Sequence, residues 1–174
     1  FLDGKLPALP GEKPTLSDWA DHLTTAFPEA RIKKYIEMRG ADGGPWRRLC
    51  ALPAFWVGLC YEQDSLDAAW ELVKDWDAET REALRVAASV DGLHAKVGNI
   101  DMHELSKSVL DIAHAGLAKR ARPGAGGMIP DETHFLNALM ESVETKKTPA
   151  DELMDHYNGA WAGDLNRIFA EFSY

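Results

Sequence analysis

The chain has 174 residues, of which 45% are hydrophobic and 27% charged, enough for one domain with a real core. Its net charge of −9 argues against nucleic acid as a partner, because that binding rests on neutralising phosphates with Lys and Arg. No apolar run approaches the roughly 20 residues that would span a membrane; the longest, Cys50 to Tyr61, reads as a buried helix segment.

Residues 1–14, with Pro7, Pro10, Gly11 and Pro14, read as an irregular lead-in. The start at Phe1-Leu2-Asp3-Gly4 has no Met and no signal-peptide pattern, and is expected to be a processed or truncated end. Thr15-Leu16-Ser17-Asp18 then opens a helix, with Thr15 or Ser17 as its cap and Asp18 in the first turn. Trp19, Leu23 and Ala26 form its apolar stripe, and Phe27-Pro28 ends it.

Arg31 to Arg39 is expected to be a strand. Period two puts Arg31, Lys33, Tyr35, Glu37 and Arg39 on one face and Ile32, Lys34, Ile36 and Met38 on the other. A lone strand cannot satisfy its own backbone groups, and no other stretch matches it in quality. Its partner strands are therefore expected upstream of this sequence or in another subunit.

After Gly43-Gly44-Pro45 the chain reads as helix nearly to its end. Trp46 to Cys60 is apolar almost all round, so it should be central, and kinked or broken near Pro53. Helical spacing recurs at Leu66, Ala69, Trp70 and Val73, and again at Leu105, Val109, Ile112, Ala113 and Leu117. Arg122-Pro123-Gly124-Ala125-Gly126-Gly127 reads as a loop. A helix around Phe135, Leu136, Leu139 and Val143 follows, then one capped at Thr148-Pro149, then a last one over 163–172. Cys50 and Cys60 would lie about 15 Å apart along one helix, too far for a disulfide. That points to a reducing compartment, the cytoplasm.

The candidate chemistry gathers at Glu37 to Cys50. Glu37 beside Arg39 suits a metal-binding carboxylate and an anion-binding guanidinium; it equally suits a cross-strand ion pair on a solvated face. Gly40, Gly43 and Gly44 around Asp42 would let backbone approach a ligand, or form an ordinary turn. Arg47 and Arg48 could hold an anion or pair with acidic residues on neighbouring helices. The positive clusters at 31–34 and at Arg39, Arg47 and Arg48 suit a small anionic ligand. The six histidines show no zinc spacing, and no nucleophile motif is present.

The stretch Tyr35-Ile36-Glu37-Met38-Arg39-Gly40-Ala41-Asp42-Gly43-Gly44-Pro45-Trp46-Arg47-Arg48-Leu49-Cys50, continuing through Ala51 to Leu59, closely resembles the plant-type glutamate–cysteine ligases of plants and proteobacteria. Leu6 to Glu12, His22 to Pro28, Phe135 to Ala138, Thr148 to Ala150 and Tyr157 to Trp161 resemble the same family in the same order. The resemblance implies an α+β fold, mostly helical over this stretch: one active-site strand and a helical layer from a glutamine-synthetase-like catalytic domain. Residues 15–174 would be its C-terminal part, with the rest of the sheet upstream. It implies an ATP-dependent ligase that forms γ-glutamylcysteine through a γ-glutamyl phosphate, with Mg²⁺, for glutathione synthesis. Glutamate, cysteine, ATP, the remainder of the ligase chain and a second copy in a homodimer are the expected partners. Within that pattern Glu37 is the metal ligand and Arg39 the catalytic, phosphate-facing arginine. Asp42 and Trp46 bind substrate, and Cys50 is a redox candidate whose upstream partner is not in this sequence. The competing readings are a non-enzymatic helical interaction module and a carboxylate–amine ligase with other substrates.

Overall fold

The computed structural model describes residues 1–122 and 132–173. From Pro123 on, the glycine loop expected at 122–127 lies outside the described residues. Two compact units are present, Phe1–Asp42 and Gly43–Tyr174.

In the first unit, turns over residues 1–14 lead to helix α1 (Leu16–Thr24). Thr15 caps it: its hydroxyl accepts from the Asp18 amide, and the Asp18 carboxylate accepts from the Thr15 amide at 2.7 Å. Trp19 and Leu23 of the expected apolar stripe lie on α1, with Ala26 beyond its end, but the stripe is not buried: both are more than half exposed. Stripe periodicity identifies a face that burial would favour, and nothing within the first unit covers this one.

The expected strand over 31–39 is instead a hairpin. Strands β1 (Ala30–Ile32) and β2 (Ile36–Met38) pair antiparallel, with Arg31 opposite Glu37 and Ile32 opposite Ile36. Between them Lys33 to Tyr35 reverses the chain, closed by a bond from the Lys33 amide to the Tyr35 carbonyl at 2.8 Å. The ladder continues outward where the Arg39 amide donates to the Glu29 carbonyl. The backbone groups that a lone strand would have left unsatisfied are thus partly met within the stretch itself. Because the turn takes three residues, Arg31, Glu37 and Arg39 stay on one face, as the alternation required.

The second unit is helical. Helix α2 (Trp46–Cys60) starts at the Pro45 cap and runs through Pro53 without a break. Pro53 and Leu49, whose carbonyl loses its donor to the proline, are both exposed, so water can take the place of the lost bond. Helices α3 (Gln63–Val73), α4 (Ala78–Asp91) and α5 (Met102–Arg120) follow. A two-stranded hairpin, β3 (Lys96–Val97) with β4 (Ile100–Asp101), connects α4 to α5. Past the undescribed stretch come a 3₁₀ turn (Glu132–Leu136), α6 (Asn137–Thr145), α7 (Pro149–Asn158) and α8 (Arg167–Glu171), the last shorter than expected.

Helix α2 is central, as its all-round apolarity required. Ala54 and Leu59 pack with Ala113 and Leu117 of α5 and with Leu136, flanked by Phe55, Ala69, Ile112 and Leu139. The two helices meet backbone to backbone at Gly58 and Gly116. The buried ring of His103 at the start of α5 bonds through Nε2 to the Val143 carbonyl of α6 at 2.8 Å. Thr148 and Asp151 form a second capping box, at the start of α7. Among the described residues the class is α+β, mostly helical with two small antiparallel sheets.

Candidate functional site

The expected site residues fall into two groups. Glu37, Arg39 and Asp42 belong to the first unit, Trp46 and Cys50 to the second.

On the β1–β2 hairpin, Glu37 is held between two guanidinium groups. Arg31, its cross-strand partner, reaches Oε2 with Nε at 2.8 Å and Nη2 at 2.7 Å. Arg39, two residues along the chain and just past the end of β2, reaches Oε1 with Nη1 at 3.2 Å. All three side chains are half-buried, at 21–29% exposure, which weakens solvent screening relative to a free surface pair. The Arg31 hydrogen bond, with the charges of Arg31 and Arg39, holds the Glu37 carboxyl below the usual carboxylate range against the opposing effect of burial. The Arg39 guanidinium also lies over the Phe27 ring, 5.2 Å from its centroid. Asp42 sits exposed in the connection after β2.

The residues were tested for a magnesium ion. Both Glu37 oxygens already accept from arginine, and among the described residues no group of three or more His, Cys, Asp or Glu side chains is placed to hold a metal. Taken alone, this chain does not fit a magnesium site, which needs about six oxygen ligands from carboxylates, waters and phosphates.

The glycines around Asp42 differ from one another. A Cβ on Gly40 would come 2.5 Å from the Glu29 carboxylate, one on Gly44 would touch the Arg48 side chain, and one on Gly43 would meet nothing. The close approaches are to flexible side chains of the protein itself.

In the second unit the helix-start arginines have carboxylate partners. Arg47 pairs with Glu141 of α6 at the surface. Arg48, only 12% exposed, donates to Ser142 Oγ at 3.1 Å and to both oxygens of Glu152 at 3.2 and 3.3 Å, joining α2 to α6 and α7. Of the two options left open by the sequence, pairing with neighbouring helices is the one observed. Trp46, exposed at the first position of α2, lines an open cleft of about 280 Å³ with Arg47, half-buried Cys50, Phe135, Asn137 and Glu141. Cys60 lies at the far end of α2 and is also a free thiol, its pKa raised by partial burial.

Sequence reasoning placed Arg31 on the polar face but did not single it out, because its pairing to Glu37 depends on the hairpin. Glu141, Ser142 and Glu152 were missed for the same reason: they are some hundred residues from the arginines they meet, and no local pattern links them.

The sequence comparisons bear on what this arrangement serves. The model of glutamate-cysteine ligase family 2 matches residues 3–171. The chain belongs to that family. The chloroplastic glutamate–cysteine ligase of Arabidopsis thaliana is 50% identical over 174 residues, all of this chain and 32% of that relative. That of Medicago truncatula is 48% identical over all of this chain and 33% of its own length. A rice relative, glutamate–cysteine ligase A of Oryza sativa subsp. indica, is 44% identical over all of this chain and 34% of its own. The resemblance read from the 35–59 block is therefore borne out across the chain. The chain spans about a third of the length of the curated relatives it matches. Among its described residues, no helix is long and apolar enough to cross a membrane.

Proposed function

We propose that the chain is the C-terminal part of an ATP-dependent glutamate–cysteine ligase with a glutamine-synthetase-like catalytic domain, to which it contributes the β1–β2 hairpin and a helical layer. Residues 15–174 would belong to that one domain. The single observation that carries this reading is the family match over 3–171, which includes the hairpin.

The reaction transfers the γ-phosphoryl of ATP to the γ-carboxylate of glutamate. The amine of cysteine then attacks the acyl phosphate carbon, forming the amide and releasing phosphate. Both steps develop negative charge on phosphoryl oxygens, and fixed guanidinium donors stabilise such charge without reorganising. Arg39 has the right chemistry: a planar fork on a hydrogen-bonded strand, steadied by Glu37 and by the face of Phe27. Magnesium, when bound, would neutralise phosphate charge; Glu37 is the carboxylate this chain would offer it, with the other ligands supplied by phosphates, water and carboxylates elsewhere in the longer protein. Asp42 and Trp46 are proposed to contact substrate, and Cys50 to be the redox-sensitive thiol. The free thiols of Cys50 and Cys60 support a reducing compartment such as the cytoplasm.

The test is substitution in a full-length protein carrying these residues. Glu37→Gln is expected to abolish ADP release that depends on glutamate and cysteine, while the protein stays folded. Turnover like that of the wild type would refute the role given to Glu37. The 174-residue chain alone is expected to be inactive, because the rest of the sheet is expected elsewhere in the longer protein and the carboxylates among its described residues do not complete a metal site.

A further inference from the structure

The cluster on the β1–β2 hairpin contains more guanidinium donors than its carboxylate uses. Arg31 spends Nε and Nη2 on one oxygen of Glu37, and Arg39 spends Nη1 on the other. A guanidinium carries five N–H groups. Among the described residues, Nη1 of Arg31 and Nε and Nη2 of Arg39 have no side-chain acceptor. Two arginines are ion-paired to one glutamate, so this half-buried trio carries one positive charge in excess. Lys33 and Lys34 in the adjoining turn add to it: residues 29–39 hold four basic side chains and two acidic, Glu29 and Glu37, on a chain whose net charge is −9. Arg47 and Arg48, by contrast, are both neutralised by carboxylates.

We propose that Arg31 is a second anion-binding residue of this site: Arg31 and Arg39, spaced across the hairpin by Glu37, form a two-guanidinium cradle for one phosphoryl group. This rests on the ligase reading and adds a residue to it. The register Arg31↔Glu37 sets the spacing, since cross-strand neighbours and i, i+2 neighbours lie on the same face. Glu37 fixes both forks, so that little side-chain entropy is lost when an anion docks. A phosphoryl group matches the donors because it can accept from two forks at once.

The experiment titrates inorganic phosphate into the 174-residue chain without metal and follows the arginine Nε–H resonances. Saturable shifts are expected at both Arg31 and Arg39. Arg31→Gln should weaken binding about tenfold or more, the loss of one charge-assisted bond pair. Arg31→Lys keeps the charge and the ion pair to Glu37 but loses the fork. It should still weaken binding several-fold, and it guards against failure of the Gln variant to hold the hairpin. A shift at Arg39 alone, with Arg31→Lys binding phosphate like the wild type, overturns the proposal. In the full-length protein, Arg31→Lys should raise the KM for ATP more than it lowers kcat, which a merely structural pair would not do. Unchanged kinetics in that variant would remove Arg31 and leave the ligase reading intact. Absence of any glutamate- and cysteine-dependent turnover in the wild type would instead remove the ligase reading, whatever phosphate does at Arg31.

Discussion

The crossing of α2 and α5 gives the sharpest stability prediction. At Gly116 an added Cβ would lie 1.9 Å from the Gly58 carbonyl oxygen and 2.8 Å from Ser65 Oγ. Ordinary contact begins at 3.4 Å, so the shortfall to the oxygen is about 1.5 Å. The obstacle is main chain of the facing helix, which cannot rotate aside as a side chain would. Helices α2 and α5 must part, loosening Ala54, Leu59, Ala113 and Leu117 together with the bond from Ser65 Oγ to the Ile112 carbonyl. Overpacking of this kind typically costs about 1–3 kcal/mol, and a backbone obstacle puts Gly116→Ala at the upper end. Helix propensity opposes this by about 1 kcal/mol, since Ala is the better helix former. A net loss of about 2 kcal/mol is expected, or about 4–8 °C in Tm for a chain of this size. Urea and thermal unfolding followed by far-UV circular dichroism would measure it, with Gly43→Ala as control because its Cβ would meet nothing. A Gly116→Ala protein as stable as the wild type, or more stable by the propensity gain, would refute the close-approach argument.

Two further outcomes follow from the charge geometry. Arg48→Met should destabilise by about 2 kcal/mol, because it strips a mostly buried donor from Ser142 and Glu152, whereas Arg47→Met, at an exposed pair, should cost under about 1 kcal/mol; equal effects in chemical denaturation would contradict the pairing described. Asp101 caps α5, and its pKa is lowered from 3.8 to about 2, chiefly by the Lys96 bond and then by the Glu104 amide. A depressed carboxylate stabilises the fold above its unfolded pKa and stops doing so as pH falls through its folded one. The Tm advantage of the wild type over Asp101→Asn should therefore hold above about pH 4 and shrink toward pH 2; an advantage constant across that window would refute the assignment.

The sequence made the helical unit readable where local chemistry was decisive. The Gly43-Gly44-Pro45 turn and the unbroken apolar run set both ends of α2, and Thr148-Pro149 marked the start of α7. It failed where structure depends on pairing. Lys33, Lys34 and Tyr35 include no Gly, Pro, Asn or Asp, so nothing in them announces a reversal, and the polar–apolar alternation keeps the same phase on both sides of the turn, with Lys34 alone departing from it. The β3–β4 hairpin did carry a signal, Gly98-Asn99 with Gly98 at φ +57°, but strands of two residues are too short to show a period. Trp19 and Leu23 show the converse limit: spacing defines a stripe, while burial depends on what packs against it.

The same distinction decides which arginines can serve a ligand. In sequence, Arg31, Arg39, Arg47 and Arg48 look alike, each a cation near the Gly-rich junction. In the fold their donors are committed differently. Arg48 is enclosed by Ser142 and Glu152, and removing it from them would leave a carboxylate without its partner. Arg47 answers Glu141 charge for charge. Arg31 and Arg39 share one carboxylate, and among the described residues their remaining N–H groups have no side-chain acceptor. An anion binding there would compensate charge without breaking an existing pair, whereas at Arg47 or Arg48 it would have to compete with a carboxylate already in place. The electrostatic balance therefore favours the proposed anion binding at the hairpin over α2, where the arginines brace helices, although the two pairs of arginines stand only eight residues apart, from Arg39 to Arg47.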